Sequence, residues 1–556
     1  MKNFYSLLVA LLLIGTTSQA QNFRYVKDMF TDAQITVESD ITYGTNIDFL
    51  TSSLDNPANI GRDITEIKTA LALGNPIPAK YYNPADTNSD LKVTDIKYDI
   101  YYPDGSVDSE TNRPVMVYLH TGNFLPPCIN GSPLGLKTDE IAKSLCMAMA
   151  RKGYVAVSAD YRLGWNPISD LEPVRKGTLL NAVYRALQDA KQCIRVVKKE
   201  AKGANKYGID PNRIFIAGEG TGAYVALSVN ALDKYEEVTY DRFLNPVDGK
   251  PYIDTLNVGN VEGFGGILNL YAPNGETADI SACINLGAAM PDTNWMEADD
   301  APYIAFQCVR DPFAPFDIGI VIVPTTGESV VEVHGANRFI NRANRMGIND
   351  ALYSDTINDA VSNIARSRYG QTYDYIYPAP RNKMTVNANS ENLFPVVLPL
   401  GASIFNNTAQ PWQFWDTASP LAKCIVAAPN ITADMASRQS NPNASPEIGA
   451  LWTDTITSYV CPRLANLYGF VGIEDTKINE RARIFPNPTE GKVHVELMGT
   501  VIESINVLDI NGRVVHSASS NRTSSLEMDL SALRTGIYIL EIRSEDGTAF
   551  KKLSLK

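Results

Sequence analysis

Gly218-Glu219-Gly220-Thr221-Gly222 is the stretch on which the reading of this chain turns. Before it, Arg213-Ile214-Phe215-Ile216-Ala217 has the apolar run of a buried strand, and after it Ala223-Tyr224-Val225-Ala226-Leu227 opens a helix. Strand, sharp turn and helix are the setting of a nucleophile elbow, whose strained turn projects only its central side chain. The central residue here is Gly220, which has nothing to attack a carbonyl with. Glycine tolerates the left-handed backbone of such a turn at no steric cost, so the turn outlives its chemistry. Neither neighbour takes over, because Glu219 and the side chain of Thr221 point away from the projected position.

Three further blocks surround the elbow. Pro114-Val115-Met116-Val117-Tyr118-Leu119-His120-Thr121-Gly122-Asn123-Phe124 reads as a strand followed by a loop able to present backbone N–H groups. Ala148 to Arg162, ending in Ser158-Ala159-Asp160-Tyr161-Arg162, reads as helix and strand, and a long helix from about Leu179 to Ala201 leads through Tyr207-Gly208-Ile209-Asp210-Pro211 to the elbow. Pro302 to Pro315 holds a strand and then Arg310-Asp311-Pro312. With the elbow, these blocks resemble the α/β-hydrolase superfamily, in particular its secreted carboxylesterase-like branch, over roughly residues 90 to 360.

The resemblance implies a doubly wound, mostly parallel α/β sheet, with the serine's place held by Gly220. It makes Gly122, Asn123 and Thr221 oxyanion-like, in a loop that has lost two of the usual glycines. It puts Asp311 at the acid position, in the chain order nucleophile, acid, histidine. Only four histidines exist in the chain: His120 in the oxyanion loop, His494 and His516 near the C-terminus, and His334. His334 is therefore the sole candidate general base, with a loop or surface histidine as the plain alternative. The helical spacing of Ala336 to Met346 resembles the helix before the last core strand, after which the family's histidine would fall near Asp350 to Ala360. No histidine is there.

The two ends speak of export. Met1-Lys2, the apolar Leu7 to Ile14 and Ser18-Gln19-Ala20 make a secretory signal peptide over residues 1–20, too short to span a membrane, and no transmembrane segment is expected elsewhere. From Ile484, alternating segments at Lys492–Leu497, Ile505–Ile510 and Gly536–Ile542, with an Asn511-Gly512 hairpin turn, predict a small all-β sandwich over 484–556. Its Pro486-Asn487-Pro488 start, Asp509-Ile510-Asn511-Gly512-Arg513 turn and Thr535-Gly536-Ile537-Tyr538 strand resemble the type A C-terminal sorting domain of the Bacteroidota type IX secretion system. That resemblance implies handling by the type IX machinery and a cell-surface or extracellular destination.

The large domain is expected over 21–470, with insertions at 233–274, read as a lid or cap, and 361–450, and a linker at 471–483. Within the second insertion Trp412, Phe414 and Trp415 allow two readings, a carbohydrate-stacking surface or core packing. Trp452 to Leu467 reads as a helix ended near Pro462. A hydrophobic fraction of 44% with 20% charged residues is a globular balance, and the net charge of −13 disfavours nucleic acid. Seven cysteines, without a Cys-x-x-Cys pair or a Cys/His cluster, exclude an evident zinc site and leave at least one thiol outside an intrachain disulfide. Gly263-Phe264-Gly265-Gly266 lacks the helix context of a dinucleotide loop, and no cofactor is expected.

Taken together, these features describe an exported α/β-hydrolase-fold protein with a degenerate site, serving as a binding or structural scaffold for a glycan or peptide ligand. Two alternatives stand beside it: an active ester hydrolase using a displaced constellation around Asp311 and His334, and a self-associating surface-layer or fibre subunit.

Overall fold

The computed structural model describes residues 24–323, 327–353, 357–375, 382–400, 409–427, 429–470, 481–509, 514–544 and 547–556. The signal peptide, most of the expected linker and the Asn511-Gly512 turn lie outside these residues. The chain divides into two compact units, Met1–Leu464 and Ala465–Lys556.

The first unit is built on one eight-stranded sheet. Its strands are β1 (Ile35–Ile47), β2 (Val93–Pro103), β3 (Arg113–Leu119), β4 (Val155–Ala159), β5 (Ile209–Glu219), β6 (Cys283–Leu286) and β7 (Tyr303–Cys308). Two hairpins follow, β8 (Ile318–Ile322) with β9 (Ser329–His334) and β10 (Thr372–Tyr375) with β11 (Asn382–Thr385), before the eighth sheet strand, β12 (Leu393–Val396). The order across the sheet is β1-β2-β4-β3-β5-β6-β7-β12. Pairs β1–β2 and β2–β4 are antiparallel, and every pair from β4 to β12 is parallel.

The central strands read as continuous apolar runs because helices cover both faces and no residue of β3, β4, β6 or β7 reaches solvent. The long helix begins earlier than its apolar spacing suggests, at Glu172, with Pro173 in its first turn, and runs to Lys202. It is fastened to the sheet by a buried ion pair: the Arg162 guanidinium lies 2.9 Å from Asp189, which also accepts from the Tyr271 hydroxyl at 2.7 Å.

Two expectations are corrected. The last core strand does not precede Asp350 to Ala360; it is β12, inside the stretch 361–450 that had been set apart as an insertion. β12 is only four residues long and contains Pro395, so composition hides it. The closing helix spans Pro446–Leu467 and passes through Pro462. Proline costs a helix about 3 kcal/mol, and here the buried flank of Tyr459, Val460, Cys461 and Leu464 offsets that cost.

Cys128 and Cys424 form a disulfide across 296 positions of sequence, and the other five cysteines are buried free thiols. Among the described residues no helix is long and apolar enough to cross a membrane.

The second unit is antiparallel throughout its two sheets. One holds Ala482–Phe485, Lys492–Leu497 and Ser525–Asp529; the other holds Val514–Thr523, Ile502–Leu508, Gly536–Ser544 and Gly547–Leu555. Val493, Val495 and Leu497 alternate with more exposed neighbours and share a core with Ile505, Val507, Leu540 and Ile542. This is the period-two burial expected of a strand with one face turned inward.

Candidate functional site

β5 ends at Glu219, and the next helix, Thr221–Ala231, starts one residue later. Gly220 bridges them with φ 52° and ψ −118°, a backbone that L side chains rarely adopt. The flanking glycines have a different cause. A Cβ on Gly218 would lie 2.2 Å from the Gly222 carbonyl oxygen, and one on Gly222 would lie 2.2 Å from that of Leu119. Both glycines let the helix press against the ends of β3 and β5. The elbow is thus fully built, and only its projecting group is missing.

The space that group would enter is taken. A Cβ on Gly220 would meet Thr121 Oγ1 at 2.3 Å and both amide atoms of Gln410 at 3.1 Å. Gln410 belongs to the segment after β12, where this chain order places the histidine of a triad. Its Nε2 donates to the Gly287 carbonyl at 3.3 Å, and its Oε1 accepts from Gln413 Nε2 at 2.5 Å. A glutamine thus stands over the elbow, a residue that sequence reasoning missed. Its only signal is distance from a strand that was itself hard to see.

Asp311 follows β7 and is fully buried. Its Oδ1 accepts from the N–H groups of Phe313 at 2.8 Å and Ala314 at 2.9 Å, and its Oδ2 has no hydrogen-bond partner among the described residues. Burial pushes its carboxyl up to about 7, against the pull of those two N–H groups. Glu219, beneath the elbow, is also raised to about 7 by burial, opposed by bonds from Gln413, Tyr118 and Trp412.

A raised carboxyl pKa sets the sign of a pH dependence. Folding favours the protonated acid, so the stability it contributes is present below about pH 4 and is lost as pH rises towards 7. For Asp311 the span is on the order of 4 kcal/mol. Asp311→Asn is therefore expected to flatten the fall in melting temperature between pH 5 and pH 8. Parallel melting profiles for parent and variant would contradict this.

His334 closes β9, where Met290 bridges to it. Its Nδ1 faces Thr293, 3.1 Å from the amide and 2.9 Å from the hydroxyl, and lies 4.0 Å from Asp292 Oδ1. Burial and the Arg242 charge hold its pKa below the usual value. None of these contacts joins it to Asp311 or Gly220. His120 is fixed beneath the loop, stacked on Tyr161 at 4.5 Å with Nδ1 2.5 Å from the Thr121 carbonyl. Burial, the largest influence, lowers its pKa.

The loop after β3 keeps an unusual path. Gly122, Asn123 and Phe124 all have positive φ, and a Cβ on Gly122 would lie 2.6 Å from Gly135 Cα. The Asn123 carbonyl accepts from Trp165 Nε1 at 2.6 Å, and Asn130 Nδ2 donates to the Gly122 carbonyl at 3.1 Å. Beyond helix and strand ladders, the amides of Asn123 and Thr221 donate to no backbone carbonyl among the described residues.

Above the elbow opens a cavity of about 640 Å³. Gly122, Asn123, Gly220, Thr221 and Gln410 form one end of it. Leu179, Val183 and Leu187 of the long helix, Val331 of β9, and Val238 and Phe243 from the 233–274 stretch are among the residues that wall the remainder. Asp311 does not line it, although its neighbours Phe313 and Ala314 do.

The carbohydrate-stacking reading of the aromatic cluster is corrected. Trp412, Phe414 and Trp415 are buried, and the two indoles donate to Glu219 at 3.2 Å and Asp434 at 2.9 Å. Their polar edges are spent inside the fold, which is the packing alternative.

Residues 98–316 match the family model BD-FAE, and residues 483–556 match the Secretion system C-terminal sorting domain. Solved structures similar to this chain include a thermophilic esterase of the planctomycete Thermogutta terrifontis with propionate bound, at 19% identity and TM-score 0.26 over 40% of this chain and 70% of that one. The butyrate-bound form gives 18% and 0.26 over 42% and 73%. Thermogutta terrifontis esterase 2 phosphorylated by paraoxon gives 21% and 0.25 over 40% and 69%. Among curated proteins, none matches. The chain carries an esterase-like α/β-hydrolase domain followed by a type IX secretion sorting domain, and is exported to the cell surface or the extracellular space.

Proposed function

We propose that this exported hydrolase-fold protein binds a ligand in the cavity above Gly220 without cleaving it. The observation that carries this reading is the pairing of a complete elbow with a glycine apex whose side-chain space holds Thr121 Oγ1 and the Gln410 amide. Nucleophile and base act as a unit in this chemistry, so losing either one alone already removes nearly all of it, and here neither position is filled. The oxyanion-like loop around Gly122, Asn123 and Thr221 survives as a hydrogen-bonding end for the ligand. Asp311 remains as a buried acid that braces the turn through Phe313 and Ala314.

The test is turnover of p-nitrophenyl esters from acetate to decanoate by the purified mature protein, beside Asp311→Ala and His334→Ala variants. No hydrolysis above the heat-denatured protein is expected at any chain length. Turnover that either variant abolishes would establish the alternative, an ester hydrolase working through Asp311 or His334.

A further inference from the structure

The cavity is selective in a way its esterase-like surroundings do not require: among its described lining residues there is no Asp, Glu, Lys, Arg or His. Its lining is mostly apolar, with Leu, Val, Ile, Phe and Trp, and carries neutral polar residues both at the elbow and elsewhere, Ser132, Ser437 and Gln439 among them. At the elbow, donors are available. Gln410 Oε1 is occupied by Gln413, while Gln410 Nε2 has two hydrogens and one long bond to Gly287. The amides of Asn123 and Thr221 are the neighbouring donors.

From this we infer that the cavity takes an intact, uncharged lipophile with a single acceptor oxygen, such as a long-chain ketone or ester. The oxygen sits at the Gln410 end and the chain lies along Val183, Leu187 and Val331. This rests on the binding role proposed for the same site, and adds its ligand class. A carboxylate or ammonium head would be stripped of water with no opposite charge to meet it, and burying an unpaired charge is strongly unfavourable. The size suits it, since small-molecule cavities run from about 300 to 1,000 Å³ and are mostly apolar.

The experiment uses the mature full chain and N-phenyl-1-naphthylamine, an uncharged fluorophore, with competitors kept below micellar concentrations. Saturable fluorescence enhancement is expected, displaced by 2-tridecanone but at least tenfold more weakly by dodecanoate at pH 8 and by dodecyltrimethylammonium. Gln410→Leu should weaken 2-tridecanone at least fivefold more than it weakens the fluorophore. Val183→Trp and Val331→Trp, on different walls, should each weaken the fluorophore at least tenfold when their melting temperatures match the parent. Absence of saturable uptake, equal displacement by the charged amphiphiles, or folded wall variants that bind normally would overturn the inference. If the wall variants do not fold, the competition series on the parent protein decides alone. A ketone cannot be hydrolysed, so the result reads binding separately from any ester turnover.

Discussion

Gly220→Ser alone is expected to produce no esterase and no serine-directed labelling, although it writes a Gly-x-Ser-x-Gly elbow into the sequence. The new Cβ would arrive 2.3 Å from Thr121 Oγ1, well inside contact distance, and Gln410 would stand where the base is needed. An unactivated serine hydroxyl is a weak nucleophile, so the hydroxyl by itself contributes little. Relief requires three changes, Gly220→Ser with Thr121→Gly and Gln410→His. The third supplies an imidazole on the segment after β12, and the free Oδ2 of Asp311 is the acceptor that could orient it. Fluorophosphonate labelling is expected in the triple variant and absent from the single one. The measure is intact-mass spectrometry after incubation, and the expected contrast is at least a hundredfold in labelling rate. Rapid labelling of the single variant would mean that a base other than residue 410 reaches the elbow.

Removing residues 479–556 is expected to abolish surface display while leaving the large unit folded. The sorting domain matched at 483–556 has its own core of Val493, Val495, Ile505, Leu540 and Ile542. The first compact unit ends at Leu464, so the deletion takes none of its buried core. Fractionation of the native host should find the truncated chain in the periplasm, with a cooperative melt near that of the large unit in the parent. Display of the truncated chain on the cell surface would contradict the route, and a chain found only as aggregate would contradict the independence of the unit.

How much was legible in the sequence depends on whether a feature is local. The elbow could be read because strand, glycines and helix are contiguous, although the contacts that require Gly222 and fill the space beside Gly220 come from distant residues. β3, β4 and β5 were legible as apolar runs, as was the second unit from its alternation. β12 was not, because it has four residues, one of them proline, and is separated from β7 by two hairpins. Missing β12 meant missing Gln410, since the base position is defined by the strand it follows. Trp412 and Trp415 were ambiguous for the same kind of reason: their partners Glu219 and Asp434 are chosen by tertiary packing, and aromatic spacing alone cannot distinguish a sugar platform from a core. The long helix from about Leu179 was legible, but nothing local says that Leu179, Val183 and Leu187 on it line a cavity.

The central claim is that the site binds without forming a covalent intermediate. The most direct measurement is the intact mass of the mature protein after prolonged exposure to a fluorophosphonate bearing an uncharged alkyl chain long enough to enter the cavity. The account predicts an unchanged mass, together with reversible competition against N-phenyl-1-naphthylamine. A stoichiometric phosphonyl adduct, mapped by peptide sequencing to any residue lining the cavity, would contradict it.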